Sequence, residues 1–300
     1  MNVARHSSQP IVSLLHATRG RPDQAAGCRE RWLRLARSPE FIEHTFAVDF
    51  DDAPSRKMLA SFKPLVVDNP GGGCVAAWNT AAAHSTGDVL VQLSDDWVPP
   101  EGWDELILNA IGELSRPSVL RVSDGHRTDD LLCIAILTKA RFQQQGFLFS
   151  PEYQGVYSDD EFSFRAYRDG VVVHAPAICF THAHPHYDTT IQMDQTYLVQ
   201  NSEERKRNGL VTFSRRNPDA FGQWVHHGTD QRHYHAKAEL RDVQSQLVDA
   251  IHEWMRLLAK AQELTEESVL LKAAVKKRNS RSWITAILQK LRINRCSLLK

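Results

Sequence analysis

Short apolar runs alternate with amphipathic stretches through the first half of the chain. Residues 11–16 (IVSLLH) form a compact apolar run, the mark of a buried strand. Residues 22–36 then read as a helix, with Pro22 at its start and Trp32, Leu33 and Leu35 for burial. Residues 42–48 and 64–67 predict a second and a third strand, and residues 74–84 an Ala-rich helix. A fourth strand at 89–93 is ended by polar residues. Residues 101–114 carry Leu106, Ile107, Ala110, Ile111 and Leu114 at helical spacing, and 119–122 and 132–137 are further strands. This alternation predicts an α/β fold, a mostly parallel sheet with helices on both faces. Ligands of such sheets sit beyond the carboxyl ends of the strands. Strand-end residues are therefore the candidates for chemistry.

The pattern changes later in the chain. Residues 125–130 and 143–157 are polar or Gly-containing, as expected of active-side loops. Beyond about residue 234 the chain is purely helical and charged through 277, with a break at Asn279-Ser280 before a last helix at 282–295. A boundary near 228–232 follows: residues 1–230 form the α/β domain and 231–300 a C-terminal helical extension. Leu240, Val243, Leu247, Ile251, Trp254 and Leu258 recur at 3–4 spacing. That spacing suits a coiled-coil arm over 236–277 and a homodimer contact. There is no internal repeat and no low-complexity tract.

Charge sharpens this division. The 300 residues hold 36 Lys plus Arg and 36 Asp plus Glu, a formal net charge of zero. The last thirty residues contain nine basic groups and no acidic one, leaving 27 basic against 36 acidic in the rest. In the last helix, Trp283, Ile284, Ile287, Leu288 and Leu291 form one apolar stripe flanked by Arg281, Lys290, Arg292 and Arg295. Such a helix over 281–295 suits peripheral contact with an anionic membrane face, or packing on the body or a second subunit. The acidic body gives no reason to expect nucleic acid.

Five scattered cysteines without a C-x-x-C pair suit a reducing, cytoplasmic compartment. The opening residues lack a signal-peptide core. No run approaches the 18 apolar residues of a membrane span.

Three strand ends share one chemistry. The first is followed by Thr18, Arg19, Gly20, Arg21 and Pro22, the second by Asp49, Asp51 and Asp52, the fourth by Asp95 and Asp96. Carboxylates gathered on one sheet edge repel unless a cation or a donor-rich ligand joins them. Two adjacent Asp after a buried strand offer hard oxygens to Mg²⁺ or Mn²⁺, a metal commonly shared with a substrate phosphate. Adjacent acids also serve as plain caps and turns.

The order of these motifs resembles glycosyltransferase family 2, enzymes of the GT-A fold with nucleotide-sugar donors. The likeness spans about residues 10–185. It rests on Ala17-Thr18-Arg19-Gly20-Arg21-Pro22, Asp49-Phe50-Asp51-Asp52, the Gly73, Ala77, Asn79 pattern closed by Gly87-Asp88, and the DXD-like Ser94-Asp95-Asp96. The segment Ser158-Asp159-Asp160-Glu161-Phe162-Ser163-Phe164-Arg165 matches the family's acidic helix start, with Ser158 where the family carries Glu. Trp78 stands where the family often has a basic residue.

The resemblance implies a metal-dependent, inverting transferase of hexosyl type. It moves a sugar from a nucleotide-diphosphate donor to a glycan, lipid-linked or other hydroxyl acceptor. Donor binding falls to Thr18, Arg19, Arg21, Asp49, Asp51, Asn79 and Asp95. The metal, Mn²⁺ or Mg²⁺, falls to Asp96 and Asp95, with His182 or His184 as a further ligand. Asp159 is the implied base, with Asp160 and Glu161 beside it. Ser158 reads equally as a helix cap with dipole-favoured acids behind it, and a cap can position a base.

Three other readings compete. A nucleotide-binding scaffold of the same fold would bind without turnover. A sugar-phosphate nucleotidyltransferase needs a Gly-rich loop with a following Lys after the first strand, and HATRGRP has one Gly and no Lys. A metal-dependent hydrolase would use the histidine cluster of His182, His184 and His186, which Pro185 interrupts. No role is assigned to His226, His227, His233 and His235.

Overall fold

The computed structural model describes residues 11–62, 65–69, 73–127, 129–185, 187–218 and 220, with scattered positions between 250 and 268. The chain divides into two compact units, Met1–Thr229 and Asp230–Lys300. The tail at 281–295, most of 236–277, and His186, His226, His227, His233 and His235 lie outside the described residues.

In the first unit the chain runs β1 (Val12–Thr18), α1 (Pro22–Leu35), β2 (Ile42–Asp49), α2 (Ala53–Ala60), β3 (Leu65–Asn69), α3 (Cys74–His84), β4 (Val89–Leu93), β5 (Trp97–Val98) and α4 (Trp103–Ile111). It continues through β6 (Val119–Ser123), β7 (Ile136–Thr138), α5 (Lys139–Gln145), α6 (Ser158–Arg168), β8 (Val172–Cys179), β9 (Thr181–His182), α7 (Gln195–Gln200) and α8 (Glu203–Arg216). Seven strands form one sheet in the order β3-β2-β1-β4-β7-β6-β8, and β5 and β9 form a small second one. The strands β3, β2, β1 and β4 are parallel, and only β7 runs against its neighbours β4 and β6. The expected α/β architecture is thus present, with one reversed strand.

Both faces of the sheet are covered. Every residue of β1 and β4 is buried, as parallel strands between two helix layers require. Successive side chains of a strand point to opposite faces. Leu14, Val91 and Leu93 accordingly pack with Trp32, Trp103, Ile107 and Phe180. Leu15 and Leu90 pack with Val75, Ala81, Phe149 and Phe162 on the other face. Trp32 anchors the first layer: its indole donates to Trp97 O at 3.0 Å, and Trp103 donates to Trp32 O at 2.8 Å.

Two differences from the sequence pattern have clear causes. Residues 132–135 are apolar, with Leu132, Ile134 and Ala135 buried, yet irregular, and only 136–138 pair as a strand. The Gln92 side chain accepts from Ala135 N at 2.9 Å, a ladder bond made by a side chain. Helix α8 escapes periodicity because it buries only Gly209 and Phe213.

Among the described residues no helix is long and apolar enough to cross a membrane. Gly87 lies where a Cβ would meet Ser13 N at 2.9 Å and Val12 C at 3.0 Å, so β1 leaves no room there. Gly87→Ala is expected to destabilise by about 1–3 kcal/mol, read as a lower urea midpoint with an unchanged slope.

Candidate active site

The carboxyl ends of β1, β2 and β4 open into a cavity of about 540 Å³. Ligand sites of enzymes have this size. Its wall is completed by the start of α3, the start of α6, and the segment from β9 through α8. Of the residues expected from sequence, Thr18, Arg19, Arg21, Asp49, Asp95, Asp96, Asp159, His182 and His184 line it. Asp51, Asn79, Asp160 and Glu161 do not.

The β1 and β2 ends are tied together. Asp52 caps α2 by accepting from Ser55 N and also accepts from Gly20 N at 2.6 Å. Arg19 forks onto Asp51 at 2.6 and 2.9 Å and also donates to Asp49. These carboxylates hold the Arg19 guanidinium above its ordinary pKa, the Asp51 bond first. Arg21 turns inward instead. Its Nε and Nη2 reach both oxygens of Asp194, at 2.8 and 2.5 Å, and it stacks 4.0 Å from the Tyr197 ring centroid. Asp194 caps α7, so this bidentate pair draws α7 over the cavity.

Asp95 and Asp96 have different surroundings. Asp95 Oδ1 lies 2.8 Å from His16 Nε2, and Thr18 donates to Oδ2 at 3.2 Å. His16 Nδ1 lies 3.0 Å from His44 Nε2. His16 and His44 are buried and stack on Phe46. This His44–His16–Asp95 chain was missed by the sequence reading. Its signal was present: a polar ring inside an otherwise apolar strand needs a partner.

Asp96 carries its charge at the cavity wall. Its Oδ2 meets His182 Nε2 at 3.3 Å and accepts from the Tyr197 hydroxyl at 3.2 Å. Its Oδ1 is buried without a hydrogen-bond partner. Burial is the largest influence and raises the Asp96 pKa, but His182, Ser94 and His184 together outweigh it and the carboxyl sits below its ordinary range. His182 reaches Asp96 because β9 pairs with β5, Trp97 opposite His182, with the two rings stacked at 4.3 Å. The buried Trp97 is therefore chiefly core.

An ionised, partnerless, buried oxygen suits a hard cation. Among the described residues no group of three or more His, Cys, Asp or Glu converges to enclose one. A cation at Asp96 would take its remaining ligands from substrate phosphate and water.

Asp159 lines the same cavity from the first turn of α6. Burial raises its pKa, a shift that favours a base working near neutral pH. Two turns bring it there: Ser158 N donates to Gly155 O at 3.1 Å, and Tyr157 takes a left-handed φ of 72°. Glu161 faces α8. Both its oxygens accept from Arg216, at 2.8 and 2.9 Å, and one also accepts from Tyr153 and Asn217. Asn79 grips the backbone of Leu148 and Phe149 through three hydrogen bonds. Trp78 donates to Leu93 O at 2.8 Å below the cavity.

Residues 27–169 match the model of glycosyl transferase family 2. That span runs from within α1 to the end of α6 and contains Asp49, Asp95, Asp96 and Asp159. The chain thus carries a glycosyl transferase family 2 region on a GT-A fold, as its motif order implied. Several solved structures are similar. S. aureus TarS, residues 1–349, is 12% identical with a TM-score of 0.48, the alignment covering 71% of this chain and 74% of that one. The mannosyltransferase PcManGT from Pyrobaculum calidifontis, in complex with GDP-Man and Mn²⁺, is 13% identical with a TM-score of 0.46, covering 81% and 86%. Glucosyl-3-phosphoglycerate synthase from Mycobacterium tuberculosis, with Mn²⁺, UDP and glucosyl-3-phosphoglycerate, is 10% identical with a TM-score of 0.47, covering 69% and 80%. No curated protein sequence matches the chain.

The histidine pair yields two predictions. Burial, then the neighbouring His16, holds the His44 pKa well below 6.5, so His44 is neutral when folded. Unfolded, it takes a proton near pH 6.5. The unfolded state therefore binds more protons below that pH, and stability falls as pH drops. In His44→Gln the unfolding free energy should fall less steeply from about pH 7 to about pH 5, by up to about 1.4 kcal/mol per pH unit. A His16→Phe, Asp95→Asn double-mutant cycle should show coupling of about 0.5–3 kcal/mol in urea unfolding.

Proposed function

We propose that this chain is a metal-dependent, inverting hexosyltransferase that moves a sugar from a nucleoside-diphosphate donor to a hydroxyl acceptor. The observation that carries this reading is one cavity lined by two unlike carboxylates, one from the end of β4 and one from the start of α6. Asp96 is ionised with a bare oxygen, and Asp159 is buried with a raised pKa. Thr18, Arg19, Arg21, Asp49 and Asp51 hold or frame the nucleoside. Asp95, fixed by His16 and Thr18, faces the ribose or the metal. Asp96, with His182 and His184 near it, takes the cation.

A bound Mn²⁺ or Mg²⁺ would neutralise charge building on the leaving diphosphate. Asp159 accepts the proton of the acceptor hydroxyl as its oxygen attacks the anomeric carbon from the face opposite the diphosphate. The new carbon–oxygen bond forms as the bond to the diphosphate breaks, and the diphosphate leaves with that electron pair. Attack from the opposite face inverts the anomeric centre. The α7 segment, drawn over the cavity by Arg21–Asp194, limits competing attack by water.

A panel of nucleoside diphosphates with and without Mn²⁺ is expected to raise the melting temperature only when both are present. Asp96→Asn should abolish that joint shift. Asp159→Asn should keep it and lower transfer by about 10²–10⁴-fold. Full transfer by Asp159→Asn would place the base elsewhere. A joint shift without any donor turnover would favour the scaffold reading.

A further inference from the structure

The cavity is lined by three arginines, and two are neutralised. Arg19 is paired with Asp49 and Asp51, and Arg21 with Asp194. The third, Arg205, meets no carboxylate among the described residues. Its Nη1 donates to Gln200 Oε1 at 2.6 Å and to Gln154 O at 3.4 Å. Its Nε and Nη2 make no hydrogen bond among the described residues.

The position is built by backbone close approach. A Cβ at Gly73 would meet Gln154 O at 2.2 Å and Arg205 Nη1 at 3.1 Å. A Cβ at Gly155 would meet Gln200 Oε1 at 3.1 Å. One helical turn beyond Arg205, a Cβ at Gly209 would meet Val156 O at 2.4 Å. Residues four apart share a helix face. The bare backbone of α8 at Gly209 therefore seats Arg205 against the Gln154–Tyr157 turn. That same turn delivers Ser158 and Asp159.

Arg205 thus lines the cavity beside the turn that leads into Asp159. The strand-end acids Asp49, Asp95 and Asp96 belong to β2 and β4. We propose that Arg205 binds an anionic group, a phosphate or a carboxylate, on the acceptor, so that the acceptor is an anionic hydroxyl compound presented to Asp159. The chemistry fits. A guanidinium whose Nε and Nη2 are left as one donor edge makes charge-assisted, forked bonds to oxyanions. This inference rests on the glycosyltransferase reading above.

The test uses the full chain, loaded with Mn²⁺ and the nucleoside diphosphate that binds best, so that the donor end is filled. Inorganic phosphate and acetate are then titrated by calorimetry into wild type, Arg205→Gln and Arg205→Lys, with thermal melts confirming folding. Wild type should bind at least one anion, Arg205→Gln should weaken it by about tenfold, and Arg205→Lys should retain most of it. Nucleoside-diphosphate affinity should change less than about twofold. Preference for phosphate marks a phosphorylated acceptor, and preference for acetate a carboxylated one. The proposal is overturned if neither anion binds wild type, if Arg205→Gln binds them equally well, or if Arg205→Gln loses the nucleoside diphosphate instead. Failure of the nucleoside diphosphate to bind wild type overturns the function reading itself.

Discussion

Four carboxylates, Asp49, Asp95, Asp96 and Asp159, line one cavity, and their mutual repulsion is the constraint around which the site is arranged. Each meets it differently. Asp49 is neutralised by Arg19. Asp95 is held by a buried histidine and a threonine. Asp96 keeps its charge through His182 and leaves one oxygen bare. Asp159 resists ionisation because it is buried. Identical residues are thereby given separate tasks, since environment sets a carboxylate's pKa over several units.

The wall that carries Asp159 is the more strained. Tyr157 is the single non-glycine residue with positive φ among the described residues, a conformation that costs about 1–3 kcal/mol. Helix α8 keeps it there. Gly209 lets the helix backbone approach Val156 O, and Phe213 sets its ring 6.4 Å from that of Tyr157. One turn later, Arg216 and Asn217 close on Glu161. A helix that looks like polar surface in sequence is thus the brace of the turn before Asp159.

Most of the fold was legible because β1, β2 and β4 are short, largely apolar runs whose ends carry the chemistry. The sheet, the first four helical stretches save α2, and the cavity-lining acids follow from that pattern. What was not legible depends on contacts far apart in sequence. Asn79 and Glu161 belong to recognisable motifs, yet they spend their hydrogen bonds on the Leu148–Phe149 backbone and on Arg216. Asp194 caps the six-residue α7, which carries Tyr197, and Arg205 lies on α8; both helices bury too little apolar surface to register as periodic. Their place in the cavity is set by pairing with Arg21, by Asp96 and by close packing against Gly73 and Gly155. His16 and His44 were visible as polar interruptions of strands, but only parallel register, Leu14 opposite His44 and His16 opposite Phe46, brings the rings together.

The unspent valences of the cavity lining differ in sign with the element that carries them. Asp96 offers a bare anionic oxygen beside the strand-end acids, and Arg205 offers bare donors beside the turn that holds Asp159. A donor diphosphate is itself anionic and is repelled by Asp96 unless a cation comes with it. An anionic acceptor beside Asp96 would meet the same repulsion, and beside the turn that holds Asp159 it meets Arg205. Polarity of this kind orders two anionic substrates without a separate gate, because each is attracted only where its partner is not. The order of charges along the cavity, rather than the net charge of the chain, is what the proposed chemistry requires.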